Sequence, residues 1–323
     1  MNYEQFASDL PLDRTISFSS VEENQEIMKQ LDVKQEIRQL GKGKFHCNLL
    51  TQSFKQADLY SDRFSTAFSM VLEAPADSVG LLICRSPNGP FIASGEKAEN
   101  DKLIFMPPGT GIDIISSNLT ASDAITISES RFIEIIEAIC PTNKIVQSKK
   151  IAVIEGNAVQ LHALQNAIVK LVKLHEFELN QHEEQLSNLV TQSIVWMCHS
   201  FNQWRPEGFT VKSSKQHIAR RVREYFECNY AQTIRMEDVC REVGVGLRTL
   251  QRSFKEYFQI TPLSYLKIMR LNNAHRMLLA NNSTNYTVTE LAQNSGFNHM
   301  GRFSKEYYNF FEELPQNTLN RRV

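Results

Sequence analysis

The last third of the chain carries one pattern twice. Val239-Cys240-x-x-Val243-Gly244-Val245 is followed by Leu250, Phe254, Phe258 and Pro262, and Leu291-Ala292-x-x-Ser295-Gly296-Phe297 is followed by Phe303, Tyr307, Phe311 and Pro315. A glycine that can take positive φ ends one short helix and lets the next leave at a steep angle. Gly244 and Gly296 are therefore the expected turns, with Pro262 and Pro315 as the structural prolines that follow each copy. Two helix-turn-helix units are predicted, over about 236–257 and about 287–310.

Leu250, Phe254 and Phe258 recur every four residues, which makes one apolar stripe and leaves the opposite helix face polar. That free face holds Arg248, Thr249, Gln251, Arg252 and Lys255. In the second copy Phe303, Tyr307 and Phe311 repeat the stripe, with His299, Met300, Gly301, Arg302 and Lys305 near the outward N-terminal end. Arg and Lys match the O6 and N7 of guanine, Gln pairs bidentately with adenine, and Thr offers a hydroxyl and a methyl to thymine. An ordinary solvated helix face carries the same residue types, so it is the recurrence in two copies that favours a DNA reader. Between the copies Thr261-Pro262 opens a helix running to about Leu279, with Leu263, Leu266, Met269 or Arg270, Asn273 and Met277 along it. Such a helix is roughly 25 Å long, enough with its flanking turns to hold two recognition helices about 34 Å apart, one turn of DNA. Arg270 and Arg276 on this connector are read as packing residues, with phosphate contact as the alternative.

Charge follows the same boundary. From Lys212 onward there are 17 Lys and Arg against 10 Asp and Glu, and before it 18 against 26, although the whole chain of 323 residues has a formal charge of only −1. A basic C-terminal domain suits a phosphate backbone and an acidic N-terminal one does not.

The stretch from Lys215 to Arg322 resembles the AraC/XylS transcriptional regulators, through Gly244-Val245-x-x-Arg248-Thr249-Leu250-Gln251-Arg252-x-Phe254, Thr261-Pro262-x-x-Tyr265-Leu266, Arg270-Leu271-x-x-Ala274 and Gly296-Phe297. A narrower likeness, through Gly296-Phe297-x-His299-x-Gly301-x-Phe303, the Tyr307, Phe311, Pro315 and Thr318-Leu319 that follow, and Gly43-Lys44-Phe45-His46, is to the subgroup that includes the ethanolamine-utilisation operon regulator. The family resemblance implies two helix-turn-helix units whose second helices enter the major groove. By position the readers would be Arg248, Thr249, Gln251 and Arg252, then Met300, Gly301, Arg302 and Lys305. Gly301 departs from this role, because it has no side chain to reach a base edge. The resemblance further implies promoter DNA and RNA polymerase as partners, an activator, and a cupin-like N-terminal β-barrel that holds an effector.

From about Phe45 to Ser128, short apolar runs lie between turn residues: Val79 to Cys84, Pro90 to Ala93, Leu103 to Met106, Ile112 to Ile115 and Ala124 to Ile127. Turns are expected at Ser86-Pro87-Asn88-Gly89 and from Pro107 to Gly111. The residues alone point to a small β-barrel or sandwich. A metal-dependent enzyme is not expected, since His46 is the sole histidine before His162 and a cage needs several imidazoles. His46 and Cys47, adjacent on a strand, point to opposite faces and make no nucleophilic dyad. Gly41-Lys42-Gly43-Lys44 lacks phosphate-loop spacing and reads as a basic turn.

Gly156 to about Asn180 and Glu183 to Phe201 read as two helices, with stripes of Leu161, Leu164, Ile168 and Leu171, and of Leu186, Leu189 or Val190, Ile194 and Met197. They would form either a homodimer interface or a layer packed on their own barrel. His162, His175, His182 and His199 are read as surface or boundary residues. Gln203 to Ser214 breaks the pattern and reads as a linker. Cysteines at 47, 84, 140, 198, 228 and 240 show no C-x-x-C spacing, so neither zinc nor a disulfide framework is expected. The N-terminus lacks a signal-peptide pattern and no run is long enough to span a membrane, from which a cytoplasmic protein is expected.

The reading is a multidomain α+β chain: a cupin-like β-barrel over 1–150, a helical pair over 151–202 with possible dimerisation, a linker over 203–214 and an all-α double helix-turn-helix domain over 215–323. It predicts a non-enzymatic, DNA-binding transcription regulator without cofactor or metal, controlled by a small-molecule effector whose site the sequence leaves unknown. The alternative is an N-terminal module that binds an antagonist or partner protein and no small molecule.

Overall fold

The structure, a computed structural model, describes residues 2–11, 13–98, 102–139, 150–174, 178–203, 214–280 and 286–321. The expected linker falls almost wholly outside these residues, as do Cys140, His175 and the side chains of Cys198 and His199. The chain divides into two compact units, Met1–Ile37 with Phe45–Gly208, and Arg38–Lys44 with Phe209–Val323.

The first unit runs α1 (Tyr3–Ala7), β1 (Ile16–Phe18), α2 (Val21–Gln30), β2 (Gln35–Gln39), β3 (Cys47–Ser53), β4 (Ala57–Phe64), β5 (Phe68–Glu73), β6 (Ser78–Arg85), β7 (Ile92–Ala93), β8 (Glu96–Lys97), β9 (Lys102–Met106), β10 (Gly111–Ile115) and β11 (Thr120–Ser128). It continues with α3 (Glu129–Ile139), β12 (Ala152–Glu155), α4 (Ala158–Val172) and α5 (Leu179–Gln203). The strands make two antiparallel sheets, a seven-stranded one in the order β1-β3-β4-β11-β6-β9-β12 and a five-stranded one in the order β2-β5-β10-β7-β8.

The expected cupin-like barrel is not formed. Closing a barrel requires the last strand to bond back to the first. Here β1 and β12 end one sheet and β2 and β8 end the other, and among the described residues no ladder joins these edges. Strand number and turn spacing are alike in a barrel and in two stacked sheets, and they left both open; the barrel came from the family resemblance alone.

Strand alternation gives the large sheet two buried faces. On one, Leu59, Leu81, Ile83, Phe105, Ile125 and Ile127 pack with Phe132 and Ile136 of α3, Leu161 and Ile168 of α4, and Leu186, Val190 and Ile194 of α5. On the other, Leu49, Phe64, Leu82, Ile104 and Met106 meet Phe68, Met70, Ile112 and Ile114 of the small sheet. The apolar stripes of the two helices are thus buried within the chain itself. α4 begins at Asn157, whose side-chain oxygen accepts from the backbone N–H of Val159 at 2.9 Å.

The second unit is all-helical: α6 (Ser214–Asn229), α7 (Met236–Val243), α8 (Leu247–Phe258), α9 (Pro262–Leu279), α10 (Val288–Asn294), α11 (Met300–Phe311) and α12 (Pro315–Leu319). α9 is the expected connector, with Thr261 as its N-cap accepting from the Ser264 N–H at 3.2 Å and Pro262 in its first turn. It packs against α8, α10 and α12. Tyr265, Leu266 and Met269 are buried on it, whereas Leu263, read as part of its stripe, is 57 % exposed. Among the described residues no helix is long and apolar enough to cross a membrane.

Candidate DNA-binding face and an internal cavity

In the first helix-turn-helix, α7 ends on Gly244 in the left-handed conformation (φ 75°) and α8 starts after Gly246. Arg221 of α6 donates from Nη2 to the Glu242 carbonyl at 2.6 Å and from Nη1 to the Val243 carbonyl at 3.3 Å. A guanidinium there satisfies open carbonyls at the negative end of α7. The buried side of α8 is aromatic: the Phe254 ring centroid lies 4.5 Å from Phe258, 5.3 Å from Tyr265 and 6.1 Å from Phe226 of α6. With that side consumed, Arg248, Thr249, Gln251, Arg252 and Lys255 are all exposed. Arg248, Gln251 and Lys255 form no ion pair or hydrogen bond through their side chains among the described residues. Arg252 lies 3.5 Å from Glu256, which also binds Lys215 at 2.7 Å.

The second unit has a different build. α10 opens on a capping box: the Thr287 side chain accepts from the Glu290 N–H at 3.2 Å and Glu290 returns a bond to the Thr287 N–H at 2.7 Å. Gly296 (φ 88°) sits where a Cβ would come within 2.7 Å of the Tyr230 carbonyl and 2.9 Å of Arg270 Nε. Arg270 itself donates to the carbonyls of Tyr230 and Gln232, both at 2.7 Å, so it ties α9 to the loop after α6. His299 is the exposed N-cap residue of α11 without a side-chain capping bond, and Met300 is half-buried. Gly301, Arg302 and Lys305 are exposed. Arg302 is held by Glu306 at 3.0 Å. Pro262 and Pro315 occupy first helical turns and are buried.

Two features of this unit were not read from the sequence. α6 carries Ile218, Val222 and Phe226, all buried and four residues apart, a signal that was available. The network beneath α12, in which the Tyr307 hydroxyl donates to Thr318 at 2.8 Å and Thr318 to Glu313 at 2.8 Å, has no local sequence pattern.

In the first unit His46 is exposed and stacks on Tyr3 with ring centroids 5.8 Å apart, while Cys47 is buried and its thiol is pushed up by that burial. The two therefore make no dyad. Cys47, Cys84, Cys228 and Cys240 are free thiols, and no group of described side chains could hold a metal ion. Between the two sheets lies a cavity of about 110 Å³. Its walls include Phe64, Phe68, Met70, Leu82 and Met106, with Asp62 and Ser122 among them and Glu73 and Pro75 exposed at the rim.

Known proteins bear on the helical unit. A family described as a helix-turn-helix domain matches residues 239–321. The chain is 35% identical over 118 residues to a probable thc operon regulatory protein of Rhodococcus erythropolis, covering 36% of each. It is 34% identical over 102 residues to the XylDLEGF operon transcriptional activator 3 of Pseudomonas putida, covering 32% of this chain and 31% of that one. The helical unit is an AraC/XylS-type helix-turn-helix domain. Its likeness spans about a third of the length of these two relatives. A solved structure of a probable AraC family transcriptional regulator from Rhodopseudomonas palustris is similar at 32% identity, covering 32% of this chain and 96% of that chain, with a TM-score of 0.31. AraC/XylS proteins are DNA-binding regulators and not enzymes.

Proposed function

We propose that the chain is a sequence-specific transcription regulator that lays α8 and α11 in successive major grooves of promoter DNA. The observation that carries this reading is the free face of α8, where Arg248, Thr249, Gln251, Arg252 and Lys255 all project to solvent from a helix locked by its aromatic side. Arg248, Thr249, Gln251 and Arg252 are the base readers of the first unit, and Arg302 those of the second together with Lys305 as a phosphate or base contact. Activation, with RNA polymerase as partner, is the direction taken from the similar operon activators.

In this reading the first unit senses a small molecule, and the cavity between its sheets is what supports an effector over a protein antagonist. A dimer built on α4 and α5 would use their outer faces, where Val159 is 77 % exposed, since the inner stripes are already covered.

Site selection from randomised duplex DNA tests the reading, run on the full chain and on the segment from Lys215 onward. A motif spanning about two helical turns from both is expected, doubled only with the full chain if it dimerises. Recovery of unselected sequence from both would reject base reading by these helices.

A further inference from the structure

The alternation of β4 separates two neighbouring charges. Arg63 points to the helix-covered face, where it pairs with Asp9 at 2.7 Å and with Asp123 at 3.1 Å. Asp62 points the other way, into the cavity. Its Oδ2 accepts one bond from the Ser122 hydroxyl at 3.0 Å, and among the described residues no cation pairs with it and no donor reaches Oδ1. The remaining charged residue on the lining, Glu73, is also acidic, and no described Lys, Arg or His lines the cavity. Burial pushes the Asp62 carboxyl up to about 6, with Ser122 and Arg63 easing the shift and Asp123 adding to it, so at neutral pH the group is mainly ionised. A carboxylate facing apolar walls without a counter-charge destabilises the fold that holds it. Phe64 and Phe68 line the same cavity, and the face of an aromatic ring attracts a cation.

We propose that the cavity is a binding site for a small organic ammonium ion, its nitrogen on Asp62 and its apolar body between the two sheets. An apolar cavity of about 150 Å³ takes up benzene, so this one suits a body of about four to six carbons. The proposal gives a chemical class to the effector site of the regulatory reading. It rests on that reading only for the consequence at DNA, because binding itself is measured without DNA.

Calorimetric titration of the full chain at pH 8 tests it, with isobutylamine and cyclopentylamine as ammonium probes, isobutanol as the neutral match and isobutyrate as the anion. The amines should bind, the alcohol about tenfold or more weaker, and isobutyrate not at all. Asp62→Asn keeps an oxygen for Ser122 and should lose about tenfold or more in amine affinity while leaving alcohol affinity unchanged. Amine affinity should also fall as pH drops below 6, where Asp62 takes up a proton. Tyr3, Tyr60, Cys47 and Cys84, other titratable groups near it, are pushed up by burial and stay neutral there; Glu73 lines the same cavity, and Arg63 and Asp123 lie across the sheet.

A folding control accompanies the variant. A carboxyl raised in the fold contributes stability below its unfolded value that is lost as pH rises through about 6, so Asp62→Asn should melt higher than the native chain at pH 8, and by clearly less at pH 5. No amine binding, equal binding of alcohol or isobutyrate, or full amine affinity in Asp62→Asn would overturn the site. Amine binding that leaves DNA affinity unchanged would support the site and remove its regulatory role.

Discussion

The two helix-turn-helix units share a plan and differ in the side chains they expose and in how their turns are packed. The first unit exposes the more polar face: Arg248, Thr249, Gln251, Arg252 and Lys255 are all exposed on α8, with Arg252 beside Glu256, while its turn at Gly244 has nothing within 4 Å of where a Cβ would lie. The second is poorer in readers and tighter in build. Its α10 has a capping box, Gly296 leaves no room for a Cβ against the Tyr230 carbonyl and Arg270, and α11 carries Gly301 among its exposed positions. Duplicated sequence fixes a common backbone, and under the proposed function the local chemistry would let one copy specify and the other anchor.

The widest separation is expected at the two turn glycines. Alanine at either position must hold positive φ, at a cost of about 1–2 kcal/mol. At 296 it must also displace the Tyr230 carbonyl or the Arg270 guanidinium, adding about 1–3 kcal/mol of overpacking. Gly296→Ala should therefore destabilise the helical unit roughly twice as much as Gly244→Ala, read by denaturant unfolding with hydrogen exchange to localise the loss. Equal losses would mean that the crowding at Gly296 relaxes without cost.

At the reading surfaces, Arg252→Ala should cost about 1–3 kcal/mol at the selected DNA site, relax preference at one base position and leave random DNA nearly unaffected. Arg302→Ala should cost less, because Arg302 must first leave Glu306, which is held close at 3.0 Å and is only 19% exposed. Competition binding against single-base variants of the site compares the two. A larger loss at Arg302 would reverse the assignment of reader and anchor.

How far this division was legible in the sequence depends on the distance over which its causes act. The twin glycines, the four-residue aromatic spacing and the Thr261-Pro262 helix start are local, and each lies where the sequence put it. The crowding at Gly296 is not local, since it comes from Tyr230 and Arg270, 66 and 26 positions away in the chain. Sheet closure is less local still: runs such as Ser78–Arg85 and Thr120–Ser128 announce strands, but only pairing between distant edges distinguishes a barrel from two open sheets. Asp62 illustrates the same limit, because alternation along β4 predicts that it opposes Arg63 but not that a cavity waits on its side.

Gly301 sharpens the comparison further. A helical glycine with open space around it gives up about 0.5–1 kcal/mol relative to alanine, with no packing gain inside the protein to offset it. Close approach of the DNA backbone to α11 would account for its presence. Gly301→Ala should then raise the melting temperature and weaken DNA binding, two effects of opposite sign. Gains in both stability and affinity would exclude a close approach at this position.

The smallest effect is electrostatic and belongs to the scaffold of the second unit. Burial of Glu313 raises its carboxyl, but hydrogen bonds from His275 and Thr318 and the charge of Arg321 outweigh that and hold it below the usual 4.5. A depressed carboxyl contributes stability above its unfolded value and loses it as pH falls through the folded one. The second unit should therefore weaken on acidification below about pH 4.5, by less than about 1 kcal/mol given how much solvent screens Arg321. Glu313→Gln keeps an acceptor for Thr318 and should flatten this acid dependence in hydrogen exchange of α9 and α12, with the first unit unchanged. Acid sensitivity that survives in Glu313→Gln would place its origin elsewhere and leave the network beneath α12 as packing alone.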